Sequence, residues 1–128
     1  METVEEKTLF DRLGGEVGIA SLVDDVVEEH MNNPKISARF LPYKDRPEYL
    51  AQVKKHTCDF FGMGSGGPVE YTGRDMITTH RGMNISEAEY MNVMDDILNV
   101  LDKHNKDEQT KKDVLAILYS LKGQMIGV

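Results

Sequence analysis

The sequence predicts an all-α fold. Apolar residues recur at helical spacing in four long stretches, residues that typically begin or end helices flank those stretches, and no stretch alternates like a strand. At 128 residues the chain is long enough for one domain with its own core. We therefore expect one helical domain over residues 1–128, in which residues 1–8, charged and without periodicity, form a flexible N-terminal extension.

Charge and composition argue against several classes of partner. The formal net charge is -7 and no Lys/Arg-rich run is present, so binding to nucleic acid or an anionic membrane is not expected. No apolar run approaches the roughly 18 residues of a membrane span, and the N-terminus is acidic where a signal peptide is basic and then apolar. The single cysteine, Cys58, cannot form an internal disulfide. We expect a cytoplasmic protein with a small-molecule partner.

The first two helices meet at a glycine pair. A short helix over residues 8–13 is predicted to end at Gly14 and Gly15, where the chain can turn sharply. A long helix follows over residues 16–31 and ends at Asn32-Asn33-Pro34. Its predicted buried stripe consists of Val17, Ile19, Ala20, Leu22, Val23, Val26, Val27 and Met31.

The segment after this helix is predicted to be irregular, and a third helix follows it. Residues 36–40 fit a single tight turn that offers Phe40 to the interior, and residues 41–47, with two prolines, predict an irregular loop. A third helix is predicted over residues 47–61, because Pro47 is tolerated in a first turn. Its inner stripe is Tyr49, Leu50, Val53, Thr57, Phe60 and Phe61.

The glycine-rich stretch that follows, residues 64–80, is the main candidate for function. Its three glycines and a proline lie outside any regular element, and residues 74–79 can then form one or two helical turns before His80. Such a loop lets the backbone pass close to a large flat molecule and then presents an imidazole to it. Haem is the cofactor that this arrangement favours.

Two further helices complete the chain. Ser86 and Glu89 form a capping box, and the helix that they begin is predicted to end near His104. Its stripe is Tyr90, Met91, Val93, Met94, Ile97, Leu98 and Leu101, and that of the last helix, over residues 107–125, is Val114, Leu115, Ile117, Leu118, Leu121 and Met125. His30 and His104 fall at polar helix ends, where no functional role is expected.

Four motifs carry a family resemblance. The run YTGRDMITTH, residues 71–80, is followed by GMNIS, and LFDRLGG and GSGGP stand earlier in the chain. Together they resemble the truncated haemoglobins of the first group. The resemblance implies a two-over-two helical sandwich around haem b, with His80 as the iron ligand and its second ring nitrogen bonded to a carbonyl one turn back. Without a Cys-x-x-Cys-His motif, the haem is expected to be held non-covalently.

The same resemblance assigns residues to the cofactor. It makes Phe40 the aromatic that wedges against the haem plane, Phe61 and Met76 further wall residues, and Tyr71 a partner of a propionate. The cations available for the other propionate oxygens are Arg74, Lys54 and Lys55.

The distal side departs from the family pattern. Val27 aligns where many members carry a tyrosine that donates a hydrogen bond to oxygen, and Val53 and Thr57 are placed over the iron. With Phe40 they give a mostly apolar pocket. His56 has two open interpretations: a distal donor or iron ligand, as in some relatives, or a solvated or propionate-facing residue.

The missing distal tyrosine bears on function. A hydrogen bond of that kind is worth roughly 1.5–3 kcal/mol, so its loss predicts faster oxygen release and a shift toward nitric oxide and carbon monoxide. A monomeric gas binder, acting as carrier, scavenger or sensor, is the leading hypothesis. The alternatives are a nitric oxide dioxygenase with a reductase partner, a redox haem protein with two axial histidines, and a haem-free helical interaction module.

Other functional motifs are absent from the sequence. There is no Gly-x-x-x-x-Gly-Lys-Ser/Thr phosphate loop, and the glycines of residues 62–67 follow no predicted strand. The four histidines include no His-x-x-x-His pair, which disfavours a zinc site. The acidic pairs 24–25 and 95–96 are adjacent on helices and so point to different faces, which disfavours a catalytic carboxylate pair.

Overall fold

The computed structural model describes residues 8–73 and 75–128. Within them are six α-helices, three short 3-10 helices and no strand, apart from an isolated bridge between Ile85 and Ile126. The α-helices are α1 (Leu9–Arg12), α2 (Gly15–Asn32), α3 (Pro47–Gly64), α4 (Met76–His80), α5 (Glu87–Lys103) and α6 (Glu108–Leu121), and the 3-10 helices are Ser37–Arg39, Leu41–Asp45 and Lys122–Gln124. The all-α prediction is confirmed.

The core lies between three of the long helices. Helix α2 packs against both α3 and α5, and α5 packs against α6, so the four long helices form two layered pairs. The buried apolar side chains on α2, α5 and α6 are Ile19, Leu22, Val23, Tyr90, Met94, Ile97, Val100, Leu101, Val114 and Leu118. None of the helices described is long and apolar enough to cross a membrane.

Helix ends follow local capping chemistry. The hydroxyl of Thr8 accepts from the Asp11 N–H and caps α1, while Ser86 and Glu89 form the predicted capping box at α5. Helix α6 ends at Leu121, and the chain continues as a 3-10 turn where helix was predicted as far as residue 125. The predicted flexible extension lies outside the described residues, except for Thr8.

Five predictions of burial are wrong, because the side chains of Val17, Ala20, Tyr49, Met91 and Leu115 are exposed. Ala20 and Leu115 each lie about 100° around their helix from a buried neighbour, and Tyr49 lies in the exposed first turn of α3. Val17 is 84% exposed because it lies about 160° around α2 from Ile19, which faces the core. Met91 is 54% exposed because it lies at the edge of the stripe that Tyr90 and Met94 define on α5.

The segment before α3 is more regular than predicted. Residues 41–45 form a 3-10 helix in which Pro42 occupies a tolerated early position, instead of an irregular loop. Helix α3 also extends past the predicted end at Phe61 to Gly64, with the buried Gly62 packed beneath the Val69 side chain.

Candidate functional site

His80 is the last residue of the five-residue helix α4. The carboxylate of Asp75 accepts from the Thr78 N–H at 2.7 Å, which caps the helix and lowers the pKa of Asp75. The half-buried His80 ring lies with Nδ1 2.8 Å from the Met76 carbonyl. Because a carbonyl can only accept, Nδ1 carries the proton and a neutral ring keeps its lone pair on Nε2. This is the bond to a carbonyl one turn back that the sequence predicts.

Backbone bonds fix the turn after His80. The N–H groups of Gly82 and Asn84 donate to the Val128 carbonyl at 3.2 and 3.0 Å. Both donors have left-handed backbone, with φ of 86° and 47°. The C-terminal residues therefore anchor the short segment that carries His80.

An aromatic cluster lies between the end of α3 and the glycine-rich loop. The Tyr71 ring contacts the Phe60 ring at a centroid distance of 5.4 Å and the His56 ring at 6.1 Å, both edge to face. His56 Nδ1 is buried and has no hydrogen-bond partner in the described part of the chain. Because buried polar atoms are nearly always paired, this nitrogen indicates a partner that these residues do not supply.

The residues predicted for the distal wall offer little polarity. Val27 and Val53 are half-buried, and the Thr57 hydroxyl donates to the Val53 carbonyl at 2.8 Å, so its proton is already engaged. Thr57 and Phe61 also line an apolar cavity of about 40 Å³. Core side chains of α2, α5 and α6 complete its lining, among them Leu22, Val26, Ile97 and Val100. Its apolar lining offers no hydrogen-bond partner to a water molecule.

Phe40 lies at the junction of the first two 3-10 helices. Its half-buried ring packs on the His30 ring, with the centroids 4.9 Å apart and the planes 30° from parallel. His30 is only 5% exposed and its Nδ1 lies 2.8 Å from Asp96 Oδ2, so the prediction that His30 occupies a polar helix end is wrong. Burial lowers the pKa of the His30 imidazole. Its helical spacing from Val23 and Val26 is the signal that could have revealed this position.

Two of the three cations predicted to meet propionates are paired with carboxylates. Lys54 Nζ lies 3.1 Å from Asp24 on α2, and Lys55 Nζ lies 2.8 Å from Asp59 one turn along α3. Arg74 lies outside the described residues. Phe61 and Met76 are half-buried, at the end of α3 and the start of α4 respectively.

Other reactive groups do not form a second site. No group of three or more histidine, cysteine or acidic side chains within residues 8–73 and 75–128 could hold a metal ion. Cys58 is half-buried and unpaired, and burial raises the pKa of its thiol. His104 pairs with Asp25 at 2.6 Å.

Comparison with known proteins places this geometry in a family. The sequence model of the bacterial-like globin family matches residues 8–127. The chain is 29% identical over 83 residues to the group 1 truncated haemoglobin of Nostoc sp. (strain MUN 8820), covering 65% of this chain and 66% of that protein. It is 20% identical to the group 1 truncated haemoglobin of Tetrahymena thermophila over 96% of this chain and 98% of that one.

A solved structure supports the same assignment. The Fe(III) form of the truncated haemoglobin of Tetrahymena pyriformis superposes with a TM-score of 0.85 at 20% identity, over 95% of this chain and all of that one. The predicted two-over-two helical sandwich is thereby confirmed. This chain belongs to the bacterial-like globin family and has its truncated, two-over-two fold.

Proposed function

We propose that the chain holds haem b non-covalently through His80 and reversibly binds oxygen, nitric oxide or carbon monoxide, as a carrier, scavenger or sensor. Membership of a globin family implies haem and the binding of a gas such as oxygen. When bound, the haem supplies an iron centre with an open position for a diatomic gas.

The observation that carries this proposal is the orientation of His80. Its Nδ1–H donates to the Met76 carbonyl at 2.8 Å, which fixes the plane and tautomer of the ring. Nε2 is then the basic nitrogen, and neutral imidazole is a common proximal ligand of haem iron. The single cysteine and the lack of a Cys-x-x-Cys-His motif support a non-covalent haem b.

We assign the wall and edge of the haem site to residues on either side of His80. Phe40, Phe61 and Met76 would supply apolar contacts to the haem, and Tyr71 would donate to a propionate. The unpartnered His56 nitrogen beside Tyr71 supports a fit to the cofactor, because an acidic propionate would satisfy it.

His56 also favours a second candidate function, a redox protein with two axial histidines. The test is the ferric absorption spectrum near neutral pH of the natural protein and of His56→Ala. A low-spin spectrum that becomes high-spin in the variant supports iron ligation by His56. A high-spin spectrum in both proteins, with faster haem loss from His56→Ala, supports the propionate contact instead.

The distal wall favours a gas binder with weak retention of oxygen. Val27 has no hydroxyl and the Thr57 proton is engaged by Val53, so neither position offers a donor of the kind worth roughly 1.5–3 kcal/mol, which leaves His56 as the candidate for that role. A nitric oxide dioxygenase needs long oxygen retention and a reductase, and is therefore the weaker alternative. Val27→Tyr should slow oxygen dissociation by about ten- to a hundredfold. The control Val17→Tyr, on the exposed face of the same helix, should leave the rate unchanged.

The broadest test is the absorption spectrum of the purified protein in its ferric, ferrous and carbonyl forms. A haem b spectrum that shifts on adding carbon monoxide is expected. Colourless protein that takes up no added haem would contradict the proposal and support a haem-free interaction module. We also propose a cytoplasmic monomer, for which gel filtration and cell fractionation are the checks; a reductase partner belongs to the dioxygenase alternative.

A further inference from the structure

A buried pair of ionisable residues joins the end of α2 to the middle of α5. His30 Nδ1 donates to Asp96 Oδ2 at 2.8 Å, and each residue is 5% exposed. The Asn33 side-chain amide lies 3.2 Å from both oxygens of the same carboxylate. Asp96 is therefore held by polar groups of α2 and of the turn that follows it.

The need to pack α2 against α5 does not by itself explain the buried pair of His30 and Asp96. Removing a carboxylate and an imidazole from water is costly, and apolar side chains of similar volume often hold two helices together equally well. Two further ionic contacts, Lys103 with Glu29 and His104 with Asp25, lie at the more exposed far end of α5, and the buried remainder of the α2–α5 contact is apolar, with Ile19, Val23 and Val100 in one cluster. The pair therefore points to a role in setting a geometry.

The geometry that it can set is that of Phe40. The His30 ring, held on one edge by Asp96, lies with its centroid 4.9 Å from that of Phe40. Phe40 lies between two 3-10 helices that contain no buried residue, and the backbone bonds found for it within residues 8–73 and 75–128 are local ones of 3.0 Å with Ser37 and Tyr43. Among the described residues, His30 is the ring partner found for Phe40.

We infer that His30 is a positioning residue that Asp96 fixes in tautomer and plane, and that His30 in turn fixes the Phe40 ring in the haem-facing wall. The inference rests on the proposed function, because it takes Phe40 as a haem contact. His30 does not touch the cofactor in this account. It acts through Phe40 alone, and this distinguishes it from a residue that merely stabilises the fold.

A double-mutant cycle on haem loss tests this dependence. The holoproteins are the natural chain, His30→Gln, Phe40→Ala and the double variant, and the rate is that of haem transfer to excess apomyoglobin. Glutamine keeps a donor for Asp96 but removes the ring. We expect His30→Gln to speed haem loss about three- to tenfold, Phe40→Ala by more, and the double variant no further than Phe40→Ala.

A matched control is the other histidine–aspartate pair. His104→Gln likewise replaces a ring with an amide donor, at a pair that also joins α2 to the α5 end, but it leaves the Phe40–His30 contact intact. Its haem loss should stay within about twofold of the natural rate.

Each contrary result has a distinct meaning. If the two substitutions speed haem loss independently, so that their effects multiply in the double variant, the inference is overturned. A natural rate of haem loss in His30→Gln would also overturn it. Neither result would affect the proposed function. An unchanged rate in Phe40→Ala would overturn both the inference and the proposed haem contact of Phe40. If His30→Gln does not fold, Asp96→Asn, which keeps the shape and an acceptor, takes its place in the cycle with the same expected pattern.

Discussion

The two sides of this molecule are built differently. Helices α2, α5 and α6 contribute ten buried apolar side chains to one cluster. Helix α3 has only Gly62 buried, and α4 and the first two 3-10 helices have no buried residue in the described part of the chain. We call the first the core side and the second the site side. The difference teaches that the core side supplies most of the buried apolar packing of the chain, while the site side has apolar side chains that the described residues bury only in part; under the proposed function, haem covers them.

The largest expected effect comes from removing a core-side contact. Leu101→Ala, at a residue that is 3% exposed, should lower the free energy of unfolding by about 2–5 kcal/mol, because it leaves a cavity. Leu41→Ala, in the second 3-10 helix and 40% exposed, should cost less than about 1 kcal/mol. Urea unfolding of the haem-free proteins, followed by circular dichroism, measures both. Equal losses would erase the distinction between the two sides.

Gly67, in the glycine-rich loop, lies close against Phe10 of α1. A Cβ at Gly67 would lie 2.2 Å from the Phe10 ring, whose backbone N–H is bonded to Ser65. Gly67→Ala should therefore destabilise the protein by about 1–3 kcal/mol through this clash. The matched control is Gly64→Ala, at the end of α3, where a Cβ meets no atom within 4 Å and little change is expected. Equal thermal midpoints for the two variants would show that α1 does not hold the loop.

Removing a polar contact between the two sides should lower the free energy of unfolding by a smaller amount. Arg39, beside Phe40, pairs with Glu89 of α5 and donates to the Met83 carbonyl at 3.0 Å. The guanidinium lowers the pKa of Glu89 to about 2. Arg39→Met should cost about 1 kcal/mol at neutral pH, because the pair is partly exposed. The contribution should fade as pH falls from the ordinary 4.5 toward 2, since the carboxylate is then protonated.

The control for Arg39→Met is an exposed ion pair within a single helix. Lys55→Met removes the contact with Asp59, in which Lys55 is 71% exposed, and should leave the stability nearly unchanged, because solvent screens an exposed pair. If urea unfolding shows equal losses of stability for Arg39→Met and Lys55→Met, the Arg39 contacts do not hold the two sides together.

The most subtle expected effect is on pH dependence. Burial lowers the pKa of His30 below its ordinary 6.5, so the unfolded chain takes up a proton at higher pH than the folded chain does. Stability should therefore fall as pH drops below about 6.5. His30→Gln should remove this part of the slope. Thermal midpoints of both haem-free proteins between about pH 7.5 and pH 5 test this, and parallel slopes would contradict it.

The core side could largely be predicted from the sequence, because apolar spacing determines which face of a long helix is buried. Ile97 and Leu101 follow that spacing and are buried. The rule failed at Val17, an apolar residue on the wrong face, and at His30, a polar residue on the buried face. Residue type alone leads to both errors, whereas position around α2 gives the observed faces: Val17 lies about 160° from Ile19, and His30 lies in line with Val23 and Val26.

The site side was harder to predict. The bond from His80 to a carbonyl one turn back follows from the chemistry of a ligand imidazole and could be anticipated. The contact of His56 with Tyr71 could not, because it depends on where α3 lies relative to the loop. The 3-10 helix at Leu41–Asp45 was also missed, since such short turns have weak local signals and form in response to tertiary contacts.

The central claim is that His80 holds the haem iron, and a cavity variant with ligand rescue tests it most directly. His80→Gly, loaded with haem and purified in the same way as the natural protein, should show no Soret band. Added imidazole should restore the band. His104→Gly, at a surface pair, should keep the natural spectrum. A His80→Gly protein with natural haem content and an unchanged Soret band would contradict the claim.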